Sequence, residues 1–77
     1  MNEKIMDILL NVRPDIDFNS ETRLIDNGVL ESFDVIQIVT MIMEEFDIFI
    51  DADDIEPENL NSFEAICDMT EKKIREK

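Results

Sequence analysis

Residues 27–46, NGVLESFDVIQIVTMIMEEF, hold the single glycine of the chain, a serine, and then an apolar pattern of helical period. The pattern predicts a helix from about Ser32 to Phe46, with the broad apolar face that is typical of the most buried helix of a small bundle. We expect that face to comprise Val35, Ile36, Ile38, Val39, Ile42, Met43 and Phe46. Gly28 makes a turn directly before the helix sterically easy. Ser32 then stands at the helix start, where one interpretation of its hydroxyl is a simple N-cap.

The segment before this helix divides into a first helix and a long loop. Ile5, Ile8, Leu9 and Val12 have the spacing of one helical stripe. Pro14 disfavours helical backbone at the residue before it, so we expect the first helix to end there. The loop that follows is long for a compact domain, and ordered loops of this length are often functional. Its apolar residues predict that it packs across the bundle, namely Ile16, Phe18, Leu24, Ile25, Val29 and Leu30.

The segment after the central helix predicts a connection, a short helix and a closing helix. Residues 46–50, FDIFI, alternate like a strand, but a single strand has no partner, so we expect an extended connection with Ile48 and Ile50 in the core. The acidic segment that follows predicts at most a short third helix, with Ile55 buried. Asn61 resembles the N-cap of the last helix, with Glu64 at the reciprocal position of a capping box. We expect the buried stripe of the last helix at Phe63, Ile66, Cys67, Thr70 and Ile74.

These segments together predict a single all-α domain over residues 1–77, a small bundle of three main helices and one short helix. A chain of 77 residues has room for one domain. One Gly and two Pro leave little material for the turns of an all-β fold. We expect the first layer of core contacts to come from Ile8, Leu9, Val39, Ile42, Phe46, Phe63 and Ile66.

The chain is strongly acidic, with 20 Asp and Glu against 7 Lys and Arg and a net charge of -13. Between residues 14 and 71 there are 17 acids and a single cation, Arg23. Such a surface repels phosphate backbones and anionic lipid, so we expect no nucleic-acid partner and no membrane insertion, and we expect basic protein surfaces as partners. The N-terminus lacks the features of a signal peptide, and a lone Cys67 suits a reducing compartment, so we expect a cytoplasmic protein. We also expect a monomer, with Cys67 as a small core residue.

The inventory of reactive side chains argues against an enzyme. The chain has no His, which excludes a Ser-His-acid triad and a Cys-His pair. The densest acidic run, DADDIEPE at residues 51–58, lacks the ligand and glycine positions of a calcium loop. There is no glycine-rich phosphate loop, and nothing indicates a concave pocket that would separate the pKa values of two carboxylates. We therefore expect no catalytic residue and no dedicated metal site.

The stretch LIDNGVLESFDVIQIVTMIMEEFDIFI, residues 24–50, resembles the acyl carrier proteins and the related peptidyl and D-alanyl carrier domains. Those proteins carry an Asp-Ser-Leu or similar tripeptide at the start of their second helix, and EEFDI lies here at the matching distance. The resemblance extends over nearly the whole chain, because the predicted first helix, long loop, short third helix and closing helix follow the same order. It therefore implies a bundle of the acyl-carrier type.

The resemblance also implies a cofactor and a set of partners. Ser32 would carry a 4'-phosphopantetheine arm, which a separate phosphopantetheinyl transferase attaches from coenzyme A. The thiol of the arm would hold an acyl or aminoacyl cargo as a thioester and present it to a loading enzyme and to a downstream synthase or transferase. A phosphodiester at a helix N-terminus agrees with the helix dipole. We expect these enzymes to use basic residues around an apolar centre, and to bind Glu31, Phe33, Asp34, Gln37, Met41, Glu44 and Glu45.

Several positions depart from the family pattern. Glu31 and Phe33 replace the usual Asp and Leu or Met beside the serine, and Gln37 and Met43 replace residues that are often acidic in fatty-acid carriers. The resemblance therefore leaves the pathway open among fatty acids, polyketides, nonribosomal peptides and D-alanylation. A second hypothesis also stays open, in which the protein is an unmodified acidic adaptor that docks basic surfaces and uses Ser32 only as a helix cap.

Overall fold

Four α-helices and no strand make up the computed structural model, which describes residues 1–77. The helices are α1 (Asn2–Val12), α2 (Ser32–Phe46), α3 (Pro57–Leu60) and α4 (Phe63–Arg75), and a single 3₁₀ turn, Ala52–Asp54, precedes α3. Helix α1 packs against both α2 and α4, whereas the short α3 packs against α4. The prediction of a small all-helical bundle with a short third helix is therefore confirmed.

The core is built largely from the residues that the apolar pattern indicates. Every helix contributes to it, and the buried apolar side chains are Ile5, Ile8, Leu9, Ile16, Phe18, Leu24, Leu30, Ile38, Val39, Ile42, Ile48, Ile50, Leu60, Ile66, Cys67 and Met69. Phe46 and Phe63, which we expected in the first layer, are half-buried and pack against this core from its edge. Val35, Met43 and Ile74 also lie at the edge. Ile36 and Ile55 are exposed, so their predicted burial is wrong.

The long loop between α1 and α2 is part of the core, as predicted. Leu24 is completely buried, and its backbone N–H donates a hydrogen bond to the Asn61 carbonyl at 2.7 Å. The Asn61 side-chain oxygen accepts hydrogen bonds from the N–H groups of Ile25 and Asp26, at 3.0 and 3.1 Å. Since backbone polar groups near the core must find partners, these three bonds allow the loop to cross the bundle as irregular structure.

Asn61 consequently does not cap α4, and that prediction is wrong. Ser62 is the N-cap, and its Oγ accepts a hydrogen bond from the Ala65 N–H at 3.0 Å. Both residues are good N-cap types, and they are adjacent in the sequence. Asn61 is not available as a cap because its side-chain oxygen is already used by the loop.

The connection from α2 to α3 is extended and places alternate side chains in the core. Ile48 and Ile50 are buried and Phe49 is exposed, which confirms the prediction of a connection rather than a strand. The 3₁₀ turn that follows is fixed to α4 by an ion pair between Asp54 and Lys73, with 2.7 Å between the oxygen and the nitrogen. Both side chains are about four-fifths buried. This ion pair holds the segment that leads into α3.

The Asp54–Lys73 pair predicts a pH-dependent contribution to stability. The Lys73 ammonium lowers the pKa of the Asp54 carboxyl below its usual 3.8, and Asp54 raises the pKa of Lys73 above 10.5. A carboxyl whose pKa is lower in the folded state contributes stability above its unfolded-state pKa, and this contribution is lost as the pH falls through the folded-state value. We expect Asp54→Asn to destabilise the protein at about pH 7 and to have a much smaller effect at about pH 2.

Urea unfolding at the two pH values measures this difference. Asp53→Asn is the matched control, because Asp53 lies on the same turn and is exposed without an ion pair. A loss of stability in Asp54→Asn that is equal at both pH values would show that the carboxylate charge is not the cause.

Candidate functional site

Ser32 is the first residue of α2 and is exposed to solvent. The helix is capped one residue earlier, by Glu31, whose backbone is extended with φ -92° and ψ 166°. The Asp34 carboxylate accepts a hydrogen bond from the Glu31 N–H at 3.1 Å, as the third helical residue does in a capping box. The interpretation of Ser32 as an N-cap is therefore wrong, because Glu31 and Asp34 form the helix start. The Ser32 hydroxyl is left without a structural role in the helix end.

The other two serines differ from Ser32 because their hydroxyls are engaged. Ser20 donates a hydrogen bond to the Asp17 carboxylate at 2.9 Å, and the Ser62 hydroxyl caps α4. Cys67 is buried, and burial raises the pKa of its thiol to about 11, which makes it a poor nucleophile. Among the three serines and the cysteine, Ser32 is thus the one whose nucleophilic group is both exposed and unengaged.

A tight turn fixes the backbone that enters Ser32. Gly28 has a φ of +69° and occupies the left-handed region, as expected from its position. The turn is closed by a hydrogen bond from the Gly28 N–H to the Ile25 carbonyl at 3.0 Å and by one from Leu30 to Leu24 at 2.9 Å. Leu30 is buried two residues before Ser32. The serine therefore follows a segment that is held both by hydrogen bonds and by the core.

An arginine from the end of α1 reaches this helix start. Arg13 Nη1 lies 2.9 Å from Asp34 Oδ2 and donates a second hydrogen bond to the Val29 carbonyl at 3.1 Å. On its other side the guanidinium forms a bidentate pair with Asp15, at 3.0 and 2.8 Å. Hydrogen bonds with Asp15 and with Asp34 raise the pKa of Arg13, and the bond with Arg13 lowers the pKa of the Asp15 carboxyl.

This network changes the expected position of Asp34, which we had assigned to the exposed docking face. Asp34 is only 9% exposed, and its carboxylate is directed towards Arg13 and Glu31 rather than towards solvent. Arg13 is a residue of this site that the sequence does not indicate. No local pattern could have indicated it, because it meets Asp34 from 21 positions away.

An apolar cleft opens beside Ser32, although the sequence indicates no concave pocket. It has a volume of about 280 Å³ and lies between α2, the long loop and the segment around α3. Its lining comprises Ile25, Leu30, Ser32, Val35, Ile36, Ile55, Glu56, Pro57 and Leu60. This cleft explains why Ile36 (59%) and Ile55 (40%) are exposed, because both residues line it. Ser32 therefore borders an apolar space in a protein of net charge -13.

The remaining predicted docking residues lie on the exposed side of α2. Phe33 is 68% exposed, and Glu31, Gln37, Glu44 and Glu45 are also exposed. The Met41 side chain is half-buried against the core. Glu45 forms an ion pair with Lys4 at 3.2 Å. The end of α2 near Ser32 thus presents apolar Phe33 and Ile36 beside the N-cap Glu31, and Glu44 and Glu45 lie at its far end.

The fold and the site define a small all-helical domain with an unengaged serine at the head of its longest helix. No group of acidic or cysteine side chains is arranged to hold a metal ion. None of the four helices has the length and apolar character needed to cross a bilayer. No protein-family model, curated protein or solved structure matches this chain.

Proposed function

We propose that the protein is an acyl carrier protein, with a 4'-phosphopantetheine arm attached to Ser32 Oγ. One observation carries the proposal, namely that Ser32, whose hydroxyl is unengaged, lies at the start of α2 and lines an apolar cleft. Capping is provided by Glu31 and Asp34, which removes the local explanation for a serine at this position. The resemblance of residues 24–50 to carrier domains supports the same assignment.

The chemistry of attachment suits this position. The serine oxygen would form a bond to the phosphorus that bears the pantetheine, the bond from that phosphorus to the adenosine bisphosphate part of coenzyme A would break, and the hydroxyl proton would pass to a base of the transferase. The product is a phosphodiester anion beside the first turn of a helix of 15 residues. Free N–H groups and the positive end of the helix dipole favour an anion there. The carrier itself then needs no catalytic residue.

The cleft supports a role in holding the cargo. Six of its nine lining residues are hydrophobic, and Glu56 is the only charged one. Burial of an apolar group contributes about 0.8 kcal/mol per CH₂, so an acyl chain that folds back from the arm would be sheltered there. The thiol of the arm needs a reducing compartment, which fits a chain with one buried cysteine and is the reason that we place the carrier in the cytoplasm.

The partner enzymes would dock on the exposed side of α2. Phe33 and Ile36 would form an apolar centre next to Ser32, and Glu44 and Glu45 would attract basic residues at the far end. Asp34 is not part of this surface, because it is buried under Arg13.

Reversal of charge at the far end of α2 tests this docking surface. We expect Glu44→Lys with Glu45→Lys to raise the KM of a transferase or loading enzyme for the carrier by about tenfold at low salt, since several weak exposed contacts act together. The effect should shrink at high salt because ions screen exposed charges. Asp68→Lys with Glu71→Lys, on exposed positions of α4, is the control with the same change of charge. Equal KM values for the two double variants would remove the docking surface from the proposal.

Loading of the wild type tests the function itself. The protein, incubated with a broad-specificity phosphopantetheinyl transferase, coenzyme A and Mg²⁺, is expected to gain the mass of one arm in an intact-mass measurement. The adaptor hypothesis expects no gain. Failure to gain mass with several transferases would therefore favour an acidic adaptor over a carrier.

A further inference from the structure

Two groups that flank Ser32 contact one guanidinium, and a third group is hydrogen-bonded to one of them. Arg13 Nη1 donates hydrogen bonds to the Val29 carbonyl at 3.1 Å and to Asp34 Oδ2 at 2.9 Å. The same Asp34 oxygen accepts the hydrogen bond from the Glu31 N–H at 3.1 Å. Arg13 thus contacts the residues three before and two after the serine directly, and it is linked to the residue one before the serine through Asp34. The backbone on both sides of Ser32 is therefore held by the side chain of the residue that follows α1.

The guanidinium is itself held in place. Asp15 binds its Nε and Nη2 atoms with two hydrogen bonds, at 3.0 and 2.8 Å, so its plane is oriented by a fork-to-fork contact. The Arg13 backbone N–H donates to the Leu9 carbonyl at 2.8 Å, which anchors the residue to the last turn of α1. Leu9 is completely buried. The connection therefore runs from the core, through Arg13, to the helix start of α2.

Arg13 also balances a charge at a position where an anion would be attached. Asp34 lies two residues after Ser32 and is nearly buried, so its negative charge would act on a phosphodiester with little screening. The ion pair at 2.9 Å compensates that charge. The other basic residues form ion pairs elsewhere or lie far along the chain, for example Lys4 with Glu45 and Arg23 with Asp26.

We propose that Arg13 is a positioning residue for the modification of Ser32, acting through Asp34 and Val29 to hold the serine backbone in the orientation that a transferase meets. This proposal rests on the function proposed above. Arg13 does not bind the hydroxyl itself, so it is not a catalytic residue. Arg13 pre-organises the backbone around Ser32. The hydroxyl can therefore reach the reacting phosphorus without a preceding ordering step.

The experiment compares Arg13→Met, Asp34→Asn and the double variant with the wild type. Arg75→Met is the matched control, because Arg75 is an exposed arginine whose only ion pair is with Glu71 on the same helix. We expect Arg13→Met to lower kcat of the transferase by about tenfold to a hundredfold, as is typical when a reacting group is misplaced by a distant change. KM for the carrier should change by no more than about twofold, because the docking residues are intact. The double variant should be no worse than Arg13→Met alone, because both substitutions remove the same connection.

Amide hydrogen exchange of Glu31, measured by NMR on the unmodified protein, supplies a readout that is independent of any transferase. Protection of this N–H should fall at least about tenfold in Arg13→Met and stay unchanged in Arg75→Met. Circular dichroism at the assay temperature establishes that the variants are folded. If Arg13→Met is unfolded, Asp15→Asn replaces it, because this variant removes only the outer contact of the guanidinium. We expect Asp15→Asn to lower kcat and Glu31 protection in the same directions by smaller amounts.

The outcomes separate the two proposals. Unchanged Glu31 protection would overturn the positioning role, whatever the function of the protein. Lost protection with an unchanged kcat would also overturn it, as would additive losses in the double variant. A wild type that accepts no arm while Glu31 loses protection in Arg13→Met would instead contradict the proposed function, and the role in modification would fall with it.

Discussion

Ser32→Ala is expected to give a folded protein that cannot be loaded. The hydroxyl is the only group removed, and in the structure it does not cap the helix, since Glu31 and Asp34 form the helix start. Alanine is at least as good a helix former as serine, so the free energy of unfolding should change by less than about 0.5 kcal/mol. Loading by a transferase should be lost completely, because the attacking oxygen is absent. Intact mass and urea unfolding, followed by circular dichroism, measure the two effects.

Ser62→Ala is the control, and its expected effects on stability and on loading are the opposite of those of Ser32→Ala. Its Oγ accepts the hydrogen bond from the Ala65 N–H at 3.0 Å, so the substitution removes a true N-cap. Stability should fall by about 0.5–2 kcal/mol, while loading should persist. If Ser32→Ala were as destabilised as Ser62→Ala, the serine would have a structural role that the hydrogen bonds of the helix start do not reveal.

Leu24→Ala is expected to cause one of the largest losses of stability in the chain, although it lies in a loop. Leu24 is 0% exposed, and truncation of a fully buried leucine costs about 2–5 kcal/mol. Such a loss is a large part of the stability of a small domain, which is on the order of 5–15 kcal/mol. Urea unfolding followed by circular dichroism is the suitable measurement, because the chain has neither Trp nor Tyr as a fluorescent probe.

Leu10→Ala is the matched control for that loss. Leu10 lies in α1, in regular structure, but it is 39% exposed, and we expect its truncation to cost less than about 1 kcal/mol. If the helical leucine proved the more costly of the two, the loop would not be the integral part of the core that its burial indicates.

The sequence predicted those features of the fold that follow from apolar periodicity. Ile8 and Leu9 in α1, and Val39 and Ile42 in α2, are buried as expected, because a helix with one apolar face has one way to bury it. The error at Ile36 has a geometric origin. At about 100° per residue it lies some 200° around the helix from Ile38, and only its apolar character placed it with the core face.

The helix starts were harder to predict, because several adjacent polar residues can cap a helix. Ser32 and Asn61 are both favourable cap types, yet the caps are Glu31 and Ser62, each one position away. The choice is made by long-range contacts that local patterns do not contain. The Asn61 side-chain oxygen accepts hydrogen bonds from the loop backbone, and the Asp34 carboxylate accepts one from Arg13.

The serine could be found from the sequence, whereas its surroundings could not. Ser32 was distinguished by its position after the Gly28 turn and before the most apolar helix. The cleft and the Arg13 connection required the structure, because both are assembled from segments that are far apart in the chain. Ile55 and Ile36 are exposed apolar residues, and both line that cleft.

The central claim is that Ser32 is the attachment point of the arm, and peptide mapping tests it most directly. The wild type is incubated with a broad-specificity phosphopantetheinyl transferase, coenzyme A and Mg²⁺, then digested and analysed by tandem mass spectrometry. The account predicts a single modified peptide, with the phosphopantetheine on Ser32 and none on Ser20 or Ser62. An unmodified Ser32, or an arm found on either of the other serines, would contradict it.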